Sequence, residues 1–243
     1  MQTKIIGHRG GAAGYPENTF ASFKKAVEIG ADGVEFDVHL TKDKKLVVIH
    51  DERVDRTTNG SGYIKDLTLR ELKNLDAGSY FSPKFAGERI LTLEEALELT
   101  RSSNLINIEI KNNIIKYKQI EREVVSIIKK MNLESKVICS SFNHYSIALV
   151  KQLSPEIKTG LLYVSRLYKP WIYAKRMGVE AIHPHYYSLS SDIINHCHKN
   201  NIKVHAWTID DKNALKQVIS KGVDTIITSY PERALESLND SVN

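Results

Sequence analysis

Short apolar segments alternate with longer amphipathic segments along most of the chain. The apolar segments are five or six residues long, which predicts buried strands. Between them, apolar residues recur at a spacing of about 3.6, which predicts helices. Strands that alternate with helices are typical of a parallel α/β sheet, and eight such units predict a closed TIM (β/α)8 barrel. The predicted strands are 4–8, 33–38, 106–111, 137–141, 158–163, 180–184, 203–207 and 224–228.

Eight helices are predicted in the stretches that follow the strands. Their starts are marked by side chains that cap helices, and their ends are marked by glycines. The predicted caps are Asn18 or Thr19, Thr92, Asn143, Ser190 and Asp210, and the predicted stops are Gly30, Gly178 and Gly222. The predicted helices are 18–30, 92–102, 116–132, 143–153, 168–178, 190–200, 211–221 and 231–239.

Residues 39–91 break the rhythm of one strand followed by one helix. They hold an extra apolar strand, 46–50, and then a stretch that contains glycine, tyrosine and phenylalanine. Barrel enzymes place long active-site loops after the carboxyl ends of strands, so we predict a small insertion after the second barrel strand. No internal repeat or low-complexity linker is visible. We therefore expect a single domain, 1–243, with 39–91 as an inserted cap.

The composition is globular, since 42% of the 243 residues are hydrophobic and 26% are charged. No apolar run approaches the ~18 residues that a membrane span requires, and the residues before His8 leave no room for a cleaved leader. The two cysteines, Cys139 and Cys197, lack the spacing of metal ligands. We therefore expect a cytoplasmic protein without stable membrane association, present as a monomer or a weak homodimer.

Basic residues exceed acidic residues by five, which favours an anionic partner. They are scattered in surface pairs such as Lys24-Lys25 and Lys129-Lys130, without the basic and aromatic stripe of single-strand binders. Nucleic acid is therefore not a predicted partner, and a small anionic molecule is.

Three carboxylates are predicted to meet at the mouth of the barrel. Glu35 and Asp37 are two residues apart in one strand, so their side chains share a face. In the next barrel strand, the alternating isoleucines over 106–110 are expected to face the helices. Glu109 and Lys111 are therefore expected to point into the lumen. A Glu-x-Lys strand alone is more often a surface ion pair. Together, however, three hard oxygen ligands predict one divalent-cation site for Mg²⁺ or Ca²⁺.

Cationic and imidazole side chains accompany these carboxylates. Arg9 can hold a phosphate group through two parallel hydrogen bonds, and Lys111 adds a point charge. Salt bridges to the neighbouring carboxylates are the alternative role for Arg9. His8 and His50 supply imidazoles, which exchange protons near neutral pH. This set of residues predicts phosphodiester chemistry.

Several short blocks of residues follow one another along the chain in the order that a known protein family has. The blocks are His8-Arg9-Gly10, Pro16-Glu17-Asn18-Thr19, Asp32-Gly33-Val34-Glu35-Phe36-Asp37-Val38, Leu40-Thr41-Lys42-Asp43, His50-Asp51, Arg56-Thr57-Thr58-Asn59-Gly60, Glu109-Ile110-Lys111 and Trp207-Thr208-Ile209. In these blocks, from residue 7 to about residue 232, the chain resembles the glycerophosphodiester phosphodiesterase family.

The resemblance implies metal-dependent hydrolysis of small-molecule glycerophosphodiesters to glycerol 3-phosphate and an alcohol. It implies a general acid and base pair at His8 and His50, and metal ligands at Glu35, Asp37 and Glu109. Which histidine is the acid stays open at this point. Direct attack by water and a route through a cyclic phosphate stay open as well.

Four residues are predicted substrate contacts. Arg9 and Lys111 are expected at the phosphate, and Trp207, in a block that matches the family, is expected against the glycerol moiety or in the barrel core. His183 ends the sixth predicted strand and faces the mouth if the register holds. Aromatic residues of the insertion are expected either to wall off the leaving alcohol or to form the core of the cap.

Two other functions remain open. A sphingomyelinase D-like phospholipase uses a similar barrel, two histidines and an acidic metal site, but it releases a cyclic phosphate and requires access to lipid. A binding module that has lost activity would keep the fold, but it would lack an acid, a base or a metal ligand. The chain has both histidines and all three carboxylates, so hydrolysis of glycerophosphodiesters is the preferred hypothesis.

Overall fold

Residues 3–240 are described by the computed structural model, which contains ten strands in one sheet. Eight of them are parallel and close into a barrel, because the first barrel strand pairs with both the second and the last. The predicted TIM barrel is therefore confirmed. The strands are β1 (Lys4–His8), β2 (Gly33–Leu40), β3 (Leu46–Val48), β4 (Leu91–Thr92), β5 (Leu105–Ile110), β6 (Val137–Ser141), β7 (Lys158–Tyr163), β8 (Ala181–Pro184), β9 (Lys203–Ala206) and β10 (Thr225–Thr228).

A helix follows each barrel strand and covers the outside of the barrel, as the apolar spacing predicts. One further short helix lies in the insertion. Within residues 3–240, none of these helices has the length and apolar character needed to cross a membrane. The helices are α1 (Phe20–Glu28), α2 (Leu69–Lys73), α3 (Leu93–Leu99), α4 (Ile120–Lys130), α5 (His144–Leu153), α6 (Pro170–Met177), α7 (Ser191–Lys199), α8 (Lys212–Ser220) and α9 (Pro231–Asp240).

Helix starts agree with the predicted caps at four of five positions. Thr19, Thr92, Asn143 and Ser190 each accept a backbone N–H of the first turn. Asp210 is wrong as a cap, because α8 begins one residue later than expected and Asp211 caps it. The carboxylate of Asp210 instead accepts Ser229 N at 2.8 Å and Thr228 Oγ1 at 3.0 Å, which ties this loop to the end of β10.

The predicted helix 116–132 begins later than expected, at Ile120. The carbonyl oxygen of the Asn112 side chain accepts the N–H of Tyr117 at 2.6 Å, which holds the chain in a loop after β5. Side-chain bonds of this kind compete with the helical ladder. The loop therefore extends to Gln119, and it belongs to the same end of the barrel as the candidate site.

Hydrophobic side chains form one layer between barrel and helices and a smaller layer inside the barrel. The isoleucines over 106–110 lie in the outer layer, as predicted, with no exposed surface at the three positions 106, 108 and 110. The inner layer comprises Ile6, Leu105, Ile138, Ala181 and Ile227. Because the apolar side chains fill the outer layer, the polar residues of the same strands turn into the lumen.

The predicted insertion is confirmed after β2. Strand β3 pairs antiparallel with the outer end of β2, and β4 pairs with β3, so the sheet extends beyond the barrel at this point. The segment between β3 and β4 has a small hydrophobic cluster of its own. The buried members of this cluster, here called the insertion core, are Val47, Ile49, Val54, Ile64, Leu72, Ala77 and Ile90.

Candidate active site

Three neighbouring strands bring the predicted carboxylates together at the carboxyl end of the barrel. Parallel pairing aligns His8 of β1 with Glu35 of β2, and Asp37 of β2 with Glu109 of β5. One oxygen from each of Glu35, Asp37 and Glu109 lies within 4.8 Å of the others, and all three residues are buried. Buried carboxylates this close together require cations to offset their charge.

The pKa values of the three carboxylates differ because their neighbours differ. Burial raises the pKa of Glu35 well above its usual value, and the charges of Asp37 and Glu109 raise it further. Burial also raises the pKa of Glu109. For Asp37, burial alone would raise the pKa, but Lys111 and Arg9 outweigh it and hold the pKa below its usual range. A divalent cation fits this donor set, since it would favour the ionised form of all three groups.

Lys111 and Arg9 flank the carboxylates and are themselves largely buried. Lys111 Nζ lies 2.9 Å from Glu109 Oε1 and 3.6 Å from Asp37 Oδ1. Burial lowers the pKa of Lys111, but these two carboxylates outweigh it, so the net direction is upward and the amine stays charged.

The Arg9 guanidinium lies between two acids and keeps one donor unused. Its Nη1 donates to Glu17 Oε1 at 2.8 Å, whereas its Nε lies 3.6 Å from Asp37 Oδ2 and has no hydrogen-bond partner within the described residues. The backbone of Arg9 has φ +51°, a conformation that ordinary residues adopt at a cost, and its N–H donates to Glu35 Oε2 at 3.1 Å. The turn after β1 therefore aims both the backbone and the side chain of Arg9 at the carboxylates.

His8 ends β1 inside the cavity. Its Nδ1 lies 3.2 Å from Ser229 Oγ, and its Nε2 lies 4.0 Å from Glu35 Oε2. Burial lowers the pKa of His8 to about 3, and the charge of Arg9 acts in the same direction. His8 is therefore a neutral imidazole at pH 7, able to accept a proton.

His50 reaches the cavity from the insertion, and its ring is oriented by Asp51. The Nδ1 of His50 lies 2.6 Å from Asp51 Oδ1. Hydrogen bonds from Arg56 hold the pKa of Asp51 below its usual range, so this carboxylate is ionised and can only accept. The proton of the neutral ring therefore sits on Nδ1, which leaves Nε2 as the nitrogen that exchanges protons.

Arg56 connects the insertion to the first barrel loop. Its Nε donates to Asp51 Oδ2 at 2.7 Å, and its Nη1 and Nη2 donate to the two carboxylate oxygens of Glu17, each at 2.8 Å. Because Glu17 also accepts from Arg9, a continuous chain of charged hydrogen bonds runs from Arg9 to His50. The sequence predicts no separate role for Glu17, Asp51 or Arg56, although all three lie in the residue blocks that carry the family resemblance.

A cavity of about 60 Å³ lies between the polar groups and an apolar wall. His8, Arg9, Glu35, His50 and Glu109 line one side. The opposite wall comprises Phe142, Leu162, Trp207 and Ile227. A larger cavity of about 370 Å³ lies beside α9, but none of the predicted catalytic or metal-binding residues lines it.

Trp207 packs edge-on against Phe142, with ring centroids 5.5 Å apart. Its indole N–H donates to the carbonyl oxygen of His183 at 2.7 Å. This bond fixes the ring in the apolar wall, where one of its faces can contact a substrate.

His183 does not join the other predicted substrate contacts. It has no exposed surface, it does not line the cavity, and its ring packs against His205 at a centroid distance of 4.6 Å. The register pairs His183 with Leu162, whose side chain lines the cavity in its place. The structure therefore does not bring His183 to the cavity, because the register buries its side chain inside the barrel.

Comparisons with known proteins agree with this geometry. Residues 8–233 match the model of the glycerophosphoryl diester phosphodiesterase family. A glycerophosphodiester phosphodiesterase of Caldanaerobacter subterraneus subsp. tengcongensis is 52% identical, and the alignment covers 96% of each chain. A glycerophosphodiester phosphodiesterase of Bacillus altitudinis is 40% identical, over 96% of this chain and 97% of its own.

A solved structure shows the same fold. It is a phosphodiesterase of Oleispira antarctica in complex with the product sn-glycerol-3-phosphate, with 29% identity and a TM-score of 0.88. The likeness covers 98% of this chain and 97% of the other chain. The predicted family and the predicted enzyme class, a phosphoric diester hydrolase, are confirmed. The chain belongs to the glycerophosphoryl diester phosphodiesterase family.

Proposed function

We propose that the protein hydrolyses glycerophosphodiesters to glycerol 3-phosphate and an alcohol, with the help of one divalent cation. The observation that carries this proposal is the cluster of Glu35, Asp37 and Glu109, whose buried oxygens lie within 4.8 Å of one another beside two imidazoles. Neither binding alone nor structural stability requires three buried acids next to a pair of proton carriers.

The three carboxylates would hold the cation. Hard oxygen donors suit Mg²⁺ and Ca²⁺, and the cluster offers no nitrogen or sulfur that would favour a softer metal. When bound, the ion would polarise a non-bridging phosphoryl oxygen and offset the charge that develops on it.

Arg9 and Lys111 would bind the phosphoryl group. The unpartnered Nε of Arg9 is a buried donor that no described residue satisfies, and a phosphoryl oxygen would satisfy it. Lys111 stays charged although it is buried, so it supplies a positive charge in a site that water barely screens. Both cations favour the transition state, in which the non-bridging oxygens carry more negative charge.

His8 and His50 would divide the proton transfers between them. His8 is neutral at pH 7, so we assign it as the base that takes a proton from the attacking oxygen. The ionised carboxylate of Asp51 stabilises the positive charge on a protonated His50, so we assign His50 as the acid that protonates the leaving alkoxide.

The apolar wall would contact the carbon skeleton of the substrate. Trp207 and Phe142 present ring surface across the cavity from the cation site, which suits the glycerol moiety. We propose that the insertion acts as a cap of the same domain, because it carries His50 and ties Arg56 to Glu17. The cytoplasmic location and the monomeric or weakly dimeric state stay predictions.

Release of glycerol 3-phosphate tests the function directly. Protein freed of metal with a chelator is assayed on glycerophosphocholine, glycerophosphoethanolamine and glycerophosphoinositol, and Mg²⁺ or Ca²⁺ is then added back separately. We expect activity to return with one of the two ions, and we expect that ion to raise the melting temperature of the wild-type protein. In Glu109→Gln, which keeps the size of the side chain, both effects should be lost.

A matched control is Glu98→Gln, which makes the same change at an exposed position of α3. If folded wild-type protein released no glycerol 3-phosphate with either ion, the proposed function would be wrong. Release of a cyclic phosphate instead would identify the sphingomyelinase D-like alternative.

A further inference from the structure

The exposed hydrophobic side chains are distributed on one side of the molecule. Twelve large hydrophobic side chains are exposed among residues 3–240, and all twelve lie in the insertion or in the loops and first helical turns that follow the carboxyl ends of barrel strands. The described loops at the opposite end of the barrel expose none of this class. Single exposed apolar residues are ordinary, but a one-sided distribution indicates an interaction surface. The most exposed are Ile114 (73%), Tyr145 (90%), Val164 (60%), Tyr168 (87%) and Tyr187 (78%).

These five residues, here called the apolar rim, follow four consecutive barrel strands. Ile114 follows β5, Tyr145 follows β6, Val164 and Tyr168 follow β7, and Tyr187 follows β8. The four strands are neighbours in the barrel. The apolar rim therefore forms one arc on the face that also holds the candidate active site.

The charge of the same arc is entirely positive. The loops 111–119, 142–143, 164–169 and 185–190 contain no aspartate and no glutamate. They carry four exposed cations, Lys116, Lys118, Arg166 and Lys169. With 29 acidic residues in 243, about three acids would be expected in these 23 loop residues, so this surface is more positive than the chain as a whole and is complementary to a negative partner.

We propose that the apolar rim and these four cations dock the protein reversibly on an anionic phospholipid surface. Tyrosine rings prefer the boundary between water and lipid, because the ring is apolar and its hydroxyl keeps a polar partner. Lysine and arginine beside them are attracted to anionic headgroups, and the two contributions reinforce each other. Each contribution alone is weak. Together they give an association that is reversible.

The orientation follows from the geometry. With the arc against the lipid, the carboxyl end of the barrel axis points toward the membrane surface. The mouth of the site then faces the headgroups. The docking goes beyond the proposed hydrolysis and does not depend on it, because neither the apolar rim nor the four exposed cations belong to the carboxylate cluster or line its cavity.

Sedimentation with phospholipid vesicles tests the proposal. Full-length protein is mixed with vesicles of phosphatidylcholine alone or with added phosphatidylglycerol, at low and at high salt. We expect binding that requires phosphatidylglycerol and weakens as salt screens the charges. The variant Arg166→Gln/Lys169→Asn should lower the partition coefficient about tenfold or more. Asparagine is chosen at 169 because the backbone there has φ +51°, which asparagine tolerates.

A second variant, Val164→Ser/Tyr168→Ser, removes the apolar part and should lower binding about tenfold while the charge is unchanged. The matched control is Lys130→Gln/Lys199→Gln. It removes two exposed lysines at the carboxyl ends of α4 and α7, at the end of the barrel opposite to the arc. This control should bind like the wild type. Hydrolysis of a water-soluble diester, which needs no lipid surface, should be the same in all of these variants and thus report correct folding.

Three results would overturn the proposal. The first is no binding to anionic vesicles at low salt. The second is equal binding by the rim variants and the control, which would place the lipid-binding surface elsewhere. The third is a dimer that Val164→Ser/Tyr168→Ser dissociates in the absence of lipid, which would identify the arc as an interface between two copies of the chain. Loss of catalysis alone would leave these binding results unaffected, so the two proposals fail separately.

Discussion

At the scale of single residues, the hydrogen bond between His50 and Asp51 determines which ring nitrogen of His50 carries its proton. Asp51 is the residue through which Arg56 and Glu17 act on the imidazole. An amide at this position can donate as well as accept, so it permits the wrong tautomer and does not stabilise a protonated ring.

The substitution Asp51→Asn tests this role. We expect kcat for a soluble glycerophosphodiester to fall about 10²- to 10⁴-fold with little change in KM, because ring orientation and proton transfer are lost but binding is not.

The control is Asp55→Asn, the same change four residues away, where the carboxylate pairs with Arg53 on the surface. This variant should keep a rate within about twofold of the wild type, since a surface ion pair contributes little. A wild-type rate in Asp51→Asn would exclude Asp51 as the residue that positions His50.

Sequence reasoning recovers single residues only where local chemistry constrains them. The carboxylates Glu35 and Asp37 are predictable because strand geometry sets their common face. The chain of charged bonds from Arg9 through Glu17 and Arg56 is not predictable in the same way, because Arg56 and Glu17 are 39 residues apart and meet only through the fold. For His183 the residue type is suggestive, but the outcome depends on a register that the sequence does not state.

At the scale of elements, helix caps show how local signals set boundaries. Thr92 begins α3 with a capping box: its hydroxyl accepts Glu95 N, and the Glu95 carboxylate accepts Thr92 N at 2.8 Å. Both bonds satisfy backbone donors that a helix start leaves free. The helix covers the outside of the barrel next to the insertion.

Thr92→Ala removes the hydroxyl half of this box. We expect the free energy of unfolding, measured by urea denaturation, to fall by about 1 kcal/mol. Ser126→Ala, at an exposed position inside α4, is the control, and there alanine should be neutral or slightly stabilising. Equal effects of the two substitutions would show that the cap contributes nothing beyond helix propensity.

The elements also show what periodicity leaves undetermined. Apolar spacing gives the eight helices that follow the barrel strands and the eight barrel strands, but not α2 of the insertion, because burial of one face imposes the period on the sequence. The start of α4 and the cap of α8 depend instead on which polar side chain binds a nearby backbone group. Asn112 accepts the backbone N–H of Tyr117 and Asp210 accepts that of Ser229, and these partners are set by the fold and not by the apolar spacing.

At the scale of the whole molecule, two buried histidines inside the barrel couple stability to pH. Burial lowers the pKa of His205 to about 4 and lowers the pKa of His183 well below its usual value. Both rings are neutral in the folded protein, and three of their nitrogens have no hydrogen-bond partner among the described residues. Gly160 makes room for the pair, since a Cβ there would lie 2.3 Å from His183 Nε2.

The sign of the pH dependence follows from these lowered values. Between pH 6.5 and about 4 the unfolded chain binds a proton at His205 that the folded chain does not, so stability falls as the pH falls. Each such group contributes a slope of up to about 1.4 kcal/mol per pH unit. In His205→Gln, the slope of the unfolding free energy against pH over this range should therefore be smaller by up to about 1.4 kcal/mol per pH unit, which corresponds to one proton.

The slope is the informative quantity, because the substitution also changes the absolute stability. His198→Gln is the control for removal of a histidine, since His198 lies at the surface and pairs with Asp224. If His205→Gln kept the slope of the wild type, His205 would be protonated in the folded barrel.

The insertion core has a consequence for the temperature range of the enzyme. The cluster of three carboxylates belongs to the barrel, whereas His50 and Asp51 belong to a segment stabilised by its own seven buried side chains. A small cooperative unit opens at a lower free energy than the large one to which it is attached. Heat inactivation would then begin as a reversible detachment of His50 from an intact barrel, and the smaller unit would set the upper temperature for turnover.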